Sequence, residues 1–254
     1  MKKTLIIILC FLFTQLSFGQ SLSASQAINK SGKQRAISQR IAKDYLMIVA
    51  GVKVEDATKD LDEYASIFNE NIHDLTIYCK TKETKDILVT INEIWRQLRL
   101  EVSETPSADA ALKVIEDANS LLVLSNALSE KIVSQSGLKS ANLVNVSGKQ
   151  RMYIQRASVF YLANYLKLSK DYTNQMKETI TGFESGLTTL STAPENTEDL
   201  NTLIKLQQQE WVFFKKSILN QSNMLPTSVF SSSNLMVREF DNITKMYEEI
   251  ASKS

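Results

Sequence analysis

The chain of 254 residues is long enough for one large domain or for two domains of ordinary size. Its 29 basic and 28 acidic side chains nearly cancel, which excludes the strongly basic field expected of a nucleic-acid-binding protein. With only 7 glycines and 3 prolines, the composition indicates long, uninterrupted helices.

The N-terminus has the pattern of a secretory signal peptide. Lys2 and Lys3 precede a short apolar run over residues 4–13, and small and polar residues follow up to Gly19. A membrane-spanning helix needs roughly 20 apolar residues, so an uncleaved anchor is the less favoured alternative. We therefore predict a signal peptide over residues 1–19 and a mature protein that is exported and soluble in the periplasm. That mature chain retains Cys79 as its one cysteine and can form no internal disulfide.

Four amphipathic segments follow the predicted signal peptide. Apolar residues recur at three- and four-residue spacing over residues 24–50, 56–78, 84–102 and about 108–136, which predicts four helices. Pro106 falls between the third and fourth segments, where it interrupts no helix. Short connections favour antiparallel neighbours, so these segments predict an up-and-down four-helix bundle.

The second half of the chain repeats the first. Residues 28–46 (INKSGKQRAISQRIAKDYL) and 144–162 (VNVSGKQRMYIQRASVFYL) are identical at ten of 19 positions, at an offset of 116, and the same offset relates Trp95 to Trp211. We predict an all-α protein with two tandem bundles, over residues 20–138 and 139–254. Because one glycine and no proline lie in residues 133–143, a long shared helix is expected to stack the bundles end to end. The alternative is a hinge near Gly137.

The repeated motif places polar side chains on an apolar stripe. On a helical wheel, Gly32, Arg35 and Gln39 lie on one face with apolar residues, and the matching positions are Gly148, Arg151 and Gln155. A partly buried guanidinium needs a partner, which is either a carboxylate of a neighbouring helix or an exogenous anion. Four other basic residues of the motif are predicted to lie on a solvated face, namely Lys33, Arg40, Lys149 and Arg156.

The motif N-x-S-G-K-Q-R-x-x-x-Q-R resembles the N-terminal sensing domain of type IV pili methyl-accepting chemotaxis transducers, the PilJ-type family. This family is similar to the periplasmic domain of NarX-type nitrate sensors, in which an arginine of the so-called P-box binds nitrate at a dimer interface with a nearby lysine. The resemblance implies anion-contacting roles for Arg35 and Arg151, an assisting role for Lys30, and Val146 in place of that lysine in the second copy. Gln39 and Gln155 are included with the ligand-binding residues, and the predicted structural motif residues are Asn29, Gly32, Asn145 and Gly148.

Two functions from different classes remain open. The first is a periplasmic ligand-binding or sensing module without its own signalling domain, which recognises a nitrate-like ion or a carboxylate. The second is a helical scaffold that binds a membrane receptor or another envelope protein and holds its arginines in internal ion pairs. A homodimer is compatible with either function, and no nucleic acid is expected. His73 and Cys79 lack the partners of a catalytic or metal site, so neither an enzyme nor a cofactor is predicted.

Overall fold

The computed structural model describes residues 22–220 and 222–253, and the predicted signal peptide lies outside these ranges. Every regular element in the described part is a helix, as the apolar periodicity predicts. The eight helices are α1 (Ala24–Val49), α2 (Val54–Tyr78), α3 (Lys82–Ser103), α4 (Ala108–Ser136), α5 (Ala141–Tyr165), α6 (Thr173–Ser191), α7 (Glu198–Leu219) and α8 (Pro226–Ser252).

Local sequence signals fix the ends of these helices. Ser23 and Gln26 form a reciprocal capping box at the start of α1, and the hydroxyl of Ser107 accepts from the third residue of α4. Thr81 and Thr197 cap α3 and α7 in the same way. The bounds of α3 and α7 differ by the 116-residue offset of the motif, and the bounds of the other corresponding helices follow that offset to within three residues.

Each half of the chain forms a ring of four helices. In the first half α1 packs against α2 and α4, and α3 closes the ring by packing against both. The second half repeats this arrangement with α5 against α6 and α8, and with α7 closing the ring. An aromatic pair fills each ring: Phe68 stacks on Trp95 with ring centroids 4.2 Å apart, and Phe183 stacks on Trp211 at 3.9 Å.

The expected long shared helix is wrong. Helix α4 ends at Gly137, whose backbone is left-handed with φ 66°, and α5 begins four residues later. The chain reverses at this turn, so α5 runs back along α4 instead of extending it. As a result α1 and α5 pack directly against each other and the two rings lie side by side.

Helices α1 and α5 run in the same direction. Helix α4 is antiparallel to α1, because Arg35 contacts Asn126 whereas Gln39, one turn later, contacts the earlier Ala118. It is antiparallel to α5 as well, since Asn145 contacts Ser129 and Met152 packs in a cluster with Leu122. The two copies of the repeated motif therefore meet level with each other at the centre of the molecule.

A charged cluster is buried at the other end of α1. The side chains of Lys43 and Asp44 are both fully buried, and the Nζ of Lys43 lies 3.3 Å from an oxygen of Asp44 and donates to Asn234. Arg40 adds a second cation, paired with Asp60 and stacked on a tyrosine ring. The prediction that Arg40 lies on a solvated face is wrong, because α2 and this tyrosine cover its side chain.

The cluster gives the free energy of unfolding a defined pH dependence. Burial raises the pKa of Asp44 from 3.8 to about 6, and burial lowers the pKa of Lys43 from 10.5 to about 8, the attraction between the two offsetting only part of each shift. Between pH 4 and 6, Asp44 holds a proton in the folded protein that it has released in the unfolded chain, so the free energy of unfolding falls as pH rises. Between pH 8 and 10.5, Lys43 holds a proton only in the unfolded chain, so the free energy of unfolding rises with pH. We expect a minimum between pH 6 and 8, about 1–3 kcal/mol below the value at pH 4.

Urea unfolding followed by circular dichroism at several pH values tests this expectation. The double variant Lys43→Met/Asp44→Leu supplies the baseline, because all other titrating groups remain in it. Subtracting its profile from that of the wild type should leave the minimum. A flat difference between pH 4 and 8 would contradict the assignment.

Candidate functional site

The repeated motif forms reciprocal contacts between α1 and α5. Nη1 of Arg35 donates to Oδ1 of Asn145 at 2.8 Å, and Nη2 of Arg151 donates to Oδ1 of Asn29 at 2.9 Å. Because these four residues are related by the 116-residue offset, each motif arginine binds the motif asparagine of the other half. The sequence predicts Asn29 and Asn145 as structural residues of the motif, and the geometry gives them this bridging position.

The motif glycines leave room for the arginine side chains. A Cβ atom on Gly32 would lie 2.8 Å from Nη2 of Arg35, and one on Gly148 would lie 3.2 Å from Nη2 of Arg151. Both distances are shorter than an ordinary van der Waals contact between such atoms. Glycine at these positions therefore lets each guanidinium lie against its own helix at the α1–α5 contact.

The two arginines differ in their charged partners. Arg151 forms an ion pair with Asp241 of α8, whereas the first half has Ser125 at the position that matches Asp241. Arg35 instead donates to the neutral acceptors Asn126 and Asn145 and to the backbone, and its side chain is completely buried. Burial, together with the nearby charge of Arg151, lowers the pKa of Arg35.

A cavity of about 540 Å³ opens beside Arg151, between α1, α2 and α8. The predicted residues Asn29 and Lys30 line it together with Arg151, whereas Arg35 and Gln39 do not. Gln39 lies on the far side of α1, where its amide donates to the backbone oxygen of Ala118 at 3.0 Å. The remaining charged residues of the lining are Lys33, Glu70, Asp241, Lys245, Glu248 and Glu249.

Lys30 is already paired with acidic residues of its own chain. Its Nζ lies 2.8 Å from Asp74 and 3.5 Å from Glu70, both on α2. Lys33, one turn further along α1, has a weaker contact, since its Nζ lies 4.0 Å from Asp241, which already pairs with Arg151. Burial lowers the pKa of Lys33, and Asp241 offsets this effect only in part.

Asp241, Lys33 and Arg151 line one end of the cavity, which we call the inner end. Asp241 is ionised there. Burial by itself would raise the pKa of this carboxyl, but the charges of Arg151 and Lys33 outweigh burial and lower the pKa below its ordinary value. Lys245 contributes to the same field. Three cations thus surround one carboxylate, and the inner end of the cavity carries a net positive charge.

A second, smaller cavity continues from this end. It has a volume of about 10 Å³, enough for about one water, and it shares Lys33, Arg151 and Asp241 with the larger cavity. Gln155 lines it, and neither atom of the Gln155 amide has a hydrogen-bond partner among the described residues, although the side chain is fully buried. Nε of Arg151 is buried and unpaired as well. Ordered water or a bound group usually satisfies such buried polar atoms, and the small cavity beside them has room for about one water.

The matching groove of the second half is filled by its own side chains. Gly182 and Gly186 of α6 lie so close to Tyr153 and Gln150 that a Cβ atom would approach them within 2.5 Å and 1.9 Å respectively. A cavity of only about 190 Å³ remains there, and Val146 stands at its edge in the place of Lys30. The first-half motif therefore lies beside an open cavity, and the matching cavity of the second half is largely closed.

Sequence reasoning missed the side of the open cavity that α8 forms. Lys245, Glu248 and Glu249 of α8 match Ser129, Ile132 and Val133 of α4. Aligning the two halves over their full length, and not over the motif alone, would have shown that these positions are charged in one half only. On the helical wheel Lys33 lies beside the polar stripe of the motif, where the sequence predicts a solvated face. Its position in the lining of the cavity was therefore missed as well.

The first half of the chain has a recognisable family likeness. Residues 17–127 match the family model of the type IV pili methyl-accepting chemotaxis transducer N-terminal domain, PilJ. The match suggests a chemotaxis-transducer sensory module, and PilJ domains are sensory, non-catalytic and usually periplasmic. No curated protein and no solved structure matches the chain.

The PilJ match confirms the resemblance that the first motif predicts. It covers α1 to α3 and most of α4, and the relation to nitrate sensors and the second copy lie beyond it. None of the helices in residues 22–220 and 222–253 is long and apolar enough to cross a membrane. Over those same ranges, no three His, Cys, Asp or Glu side chains are grouped in a way that could hold a metal ion.

Proposed function

We propose that the chain is a periplasmic sensing module that binds a small anion at the inner end of the open cavity. The observation that carries the proposal is the pair of buried, unpaired donors, Nε of Arg151 and the amide of Gln155, beside a net positive cavity wall. An anion at the inner end of the open cavity would accept from Lys33 directly, and from these two donors through the one water that the small cavity has room for. This assignment retains Arg151, Gln155 and Lys30 of the sequence prediction and moves the main contact from Arg35 to Arg151.

We also propose that the two halves are tandem copies of one PilJ-type module. The matching helix bounds and the reciprocal arginine–asparagine contacts support this reading. In the nitrate sensors that the motif resembles, the arginine acts at a dimer interface. The α1–α5 contact offers an equivalent interface within one chain, with residues of both halves around the proposed anion.

The alternative function is a scaffold that binds a membrane receptor or another envelope protein. The ion pair between Arg151 and Asp241 favours it, because this motif arginine already has a carboxylate partner in its own chain. The scaffold gives no role, however, to the unpaired amide of Gln155. Anion binding separates the two functions.

The test compares Gln155→Met with Gln39→Met, which changes the matching residue of the first half. Nitrate, nitrite and acetate are titrated against the purified chain by calorimetry and by thermal shift, since an anion bound only by the folded state raises the melting temperature. We expect the wild type to bind at least one of them, Gln155→Met to bind it at least tenfold more weakly, and Gln39→Met to bind it normally.

The melting temperatures of the two unliganded variants should differ in the opposite sense to their affinities for the anion. Gln155→Met removes two unpaired buried polar atoms and should leave the melting temperature unchanged or higher, whereas Gln39→Met removes a buried hydrogen bond to the carbonyl of Ala118 and should lower it. A wild type that binds none of the three anions would overturn the proposal in favour of the scaffold. Unchanged affinity in Gln155→Met would overturn the proposed site.

A further inference from the structure

The open cavity is much larger than a small inorganic anion needs. Its volume of about 540 Å³ lies within the range of roughly 300–1,000 Å³ that is usual for organic ligands. Nitrate at the inner end would leave most of this space to water. The lining therefore favours a ligand that carries further groups beside its anionic one.

The charges of the lining are separated along the cavity. Helix α8 runs antiparallel to α1, because Glu248 contacts Asn29 whereas Asn234 contacts Lys43. Asp241 and Lys245 therefore lie level with Lys33 at the inner end, and Glu248 and Glu249 lie one to two turns further out. One helical turn rises about 5.4 Å, so Lys245 and the pair Glu248 and Glu249 are close enough for one small ligand to contact both ends.

The outer acidic residues have no cationic partner among the residues that the structure describes. Glu248 accepts only from the neutral amide of Asn29, at 2.6 Å, and no ion pair joins Glu249 to a described residue. Glu70, by contrast, lies near Lys30. The outer end thus carries an unneutralised negative charge, opposite to that of the inner end.

The fold itself does not require these charges. At the matching positions of the first half, α4 carries Ser129, Ile132 and Val133 instead of Lys245, Glu248 and Glu249, and the helix packs in the same ring arrangement. One half therefore maintains the same architecture without them. Lys245 and Glu249 are exposed whereas Ser129 and Ile132 are buried, so only α8 presents these charges on an accessible wall of a cavity.

We propose that the ligand of the open cavity is an amphoteric molecule of the amino-acid class, with its carboxylate at Lys33, Lys245 and Arg151 and its ammonium group at Glu248 and Glu249. This inference rests on the proposed function, since it places the ligand carboxylate at the proposed anion site. It adds a second recognition element, the acidic outer end, which an inorganic anion would not use.

The experiment screens the twenty L-α-amino acids individually against the purified chain by thermal shift and calorimetry. The best-binding amino acid is then compared with its deaminated acid, which lacks the ammonium group, and with its amide, which lacks the carboxylate. We expect the amino acid to bind at least tenfold more tightly than either analogue.

Variants then test the position of each group. Glu249→Gln, at an exposed position, should weaken binding of the amino acid at least tenfold without weakening that of the deaminated acid. Glu248→Gln should act in the same direction, Lys245→Gln should weaken both ligands, and Glu210→Gln on the exposed surface of α7 serves as the matched control. Melting temperatures of the unliganded variants show whether the fold is retained.

The outcomes separate this inference from the proposed function. Binding of nitrate or acetate without binding of any amino acid would overturn the amino-acid assignment and leave the anion site standing. Amino-acid binding that is unchanged in both Glu248→Gln and Glu249→Gln would also overturn it. If neither amino acids nor simple anions bind, the proposed function fails as well.

Discussion

Replacement of Arg35 by alanine is expected to lower the free energy of unfolding by about 3–5 kcal/mol. The side chain is completely buried, and its guanidinium supplies hydrogen bonds to Asn126, Asn145 and the backbone. Truncation removes this volume from the α1–α5 contact and leaves the oxygen of Asn145 with only the weaker contact to Ser129, at 3.3 Å. Chemical denaturation followed by circular dichroism measures the loss.

Two comparisons make the Arg35 result specific. Arg238→Ala removes an arginine whose side chain is 71% exposed, and it should change stability by no more than about 0.5 kcal/mol. A double-mutant cycle between Arg35 and Asn145 should give a coupling energy of about 1–3 kcal/mol. A loss below about 1 kcal/mol in Arg35→Ala would show that the α1–α5 contact does not depend on this residue.

The second large effect is expected at the buried charged cluster. Asp44→Leu removes the carboxylate that lies between Lys43 and Arg40. Arg40 keeps its pair with Asp60, but Lys43 then remains fully buried without a carboxylate partner. Breaking a buried ion pair at one partner typically costs 3–5 kcal/mol, so we expect a loss of about 3 kcal/mol. Urea unfolding at pH 7 measures it.

Removing both partners should largely restore stability. In Lys43→Met/Asp44→Leu neither charge has to be buried, and we expect the double variant to lie within about 1 kcal/mol of the wild type or above it. The second half of the chain has Val159 and Phe160 at these positions, both buried, which indicates that this site accepts an apolar pair. Equal losses in the single and double variants would contradict the argument, because they would attribute the effect to packing alone.

The charged cluster and the open groove both make the two halves unequal. The motif residues Asn, Gly and Arg are retained in each half and hold α1 and α5 together through reciprocal contacts. By contrast Asp241, Lys245, Glu248 and Glu249 have no charged counterparts in the first half. Under the proposed duplication, one copy of the groove became a charged cavity while the other closed around Gln150 and Tyr153.

The helices could be predicted from the sequence because their signals are local. Apolar periodicity, capping residues such as Ser107, and the positions of glycine and proline give all four helices of the first half to within a few residues. The repeat at an offset of 116 likewise indicated the corresponding helices of the second half. These signals depend on neighbours within a few residues, so one sequence suffices to read them.

The arrangement of the halves and the location of the site depended on contacts between distant residues. Gly137 could have lain within a shared helix or ended it, and only the packing of α5 against α1 shows that the chain reverses there. A helical wheel places Arg35 and Arg151 on equivalent faces, yet it cannot show that Asp241 pairs with one of them alone. The sequence by itself determined the helices, the motif and its polar face; tertiary structure decided which arginine borders a cavity, because burial and charge pairing are set by helices far apart in the chain.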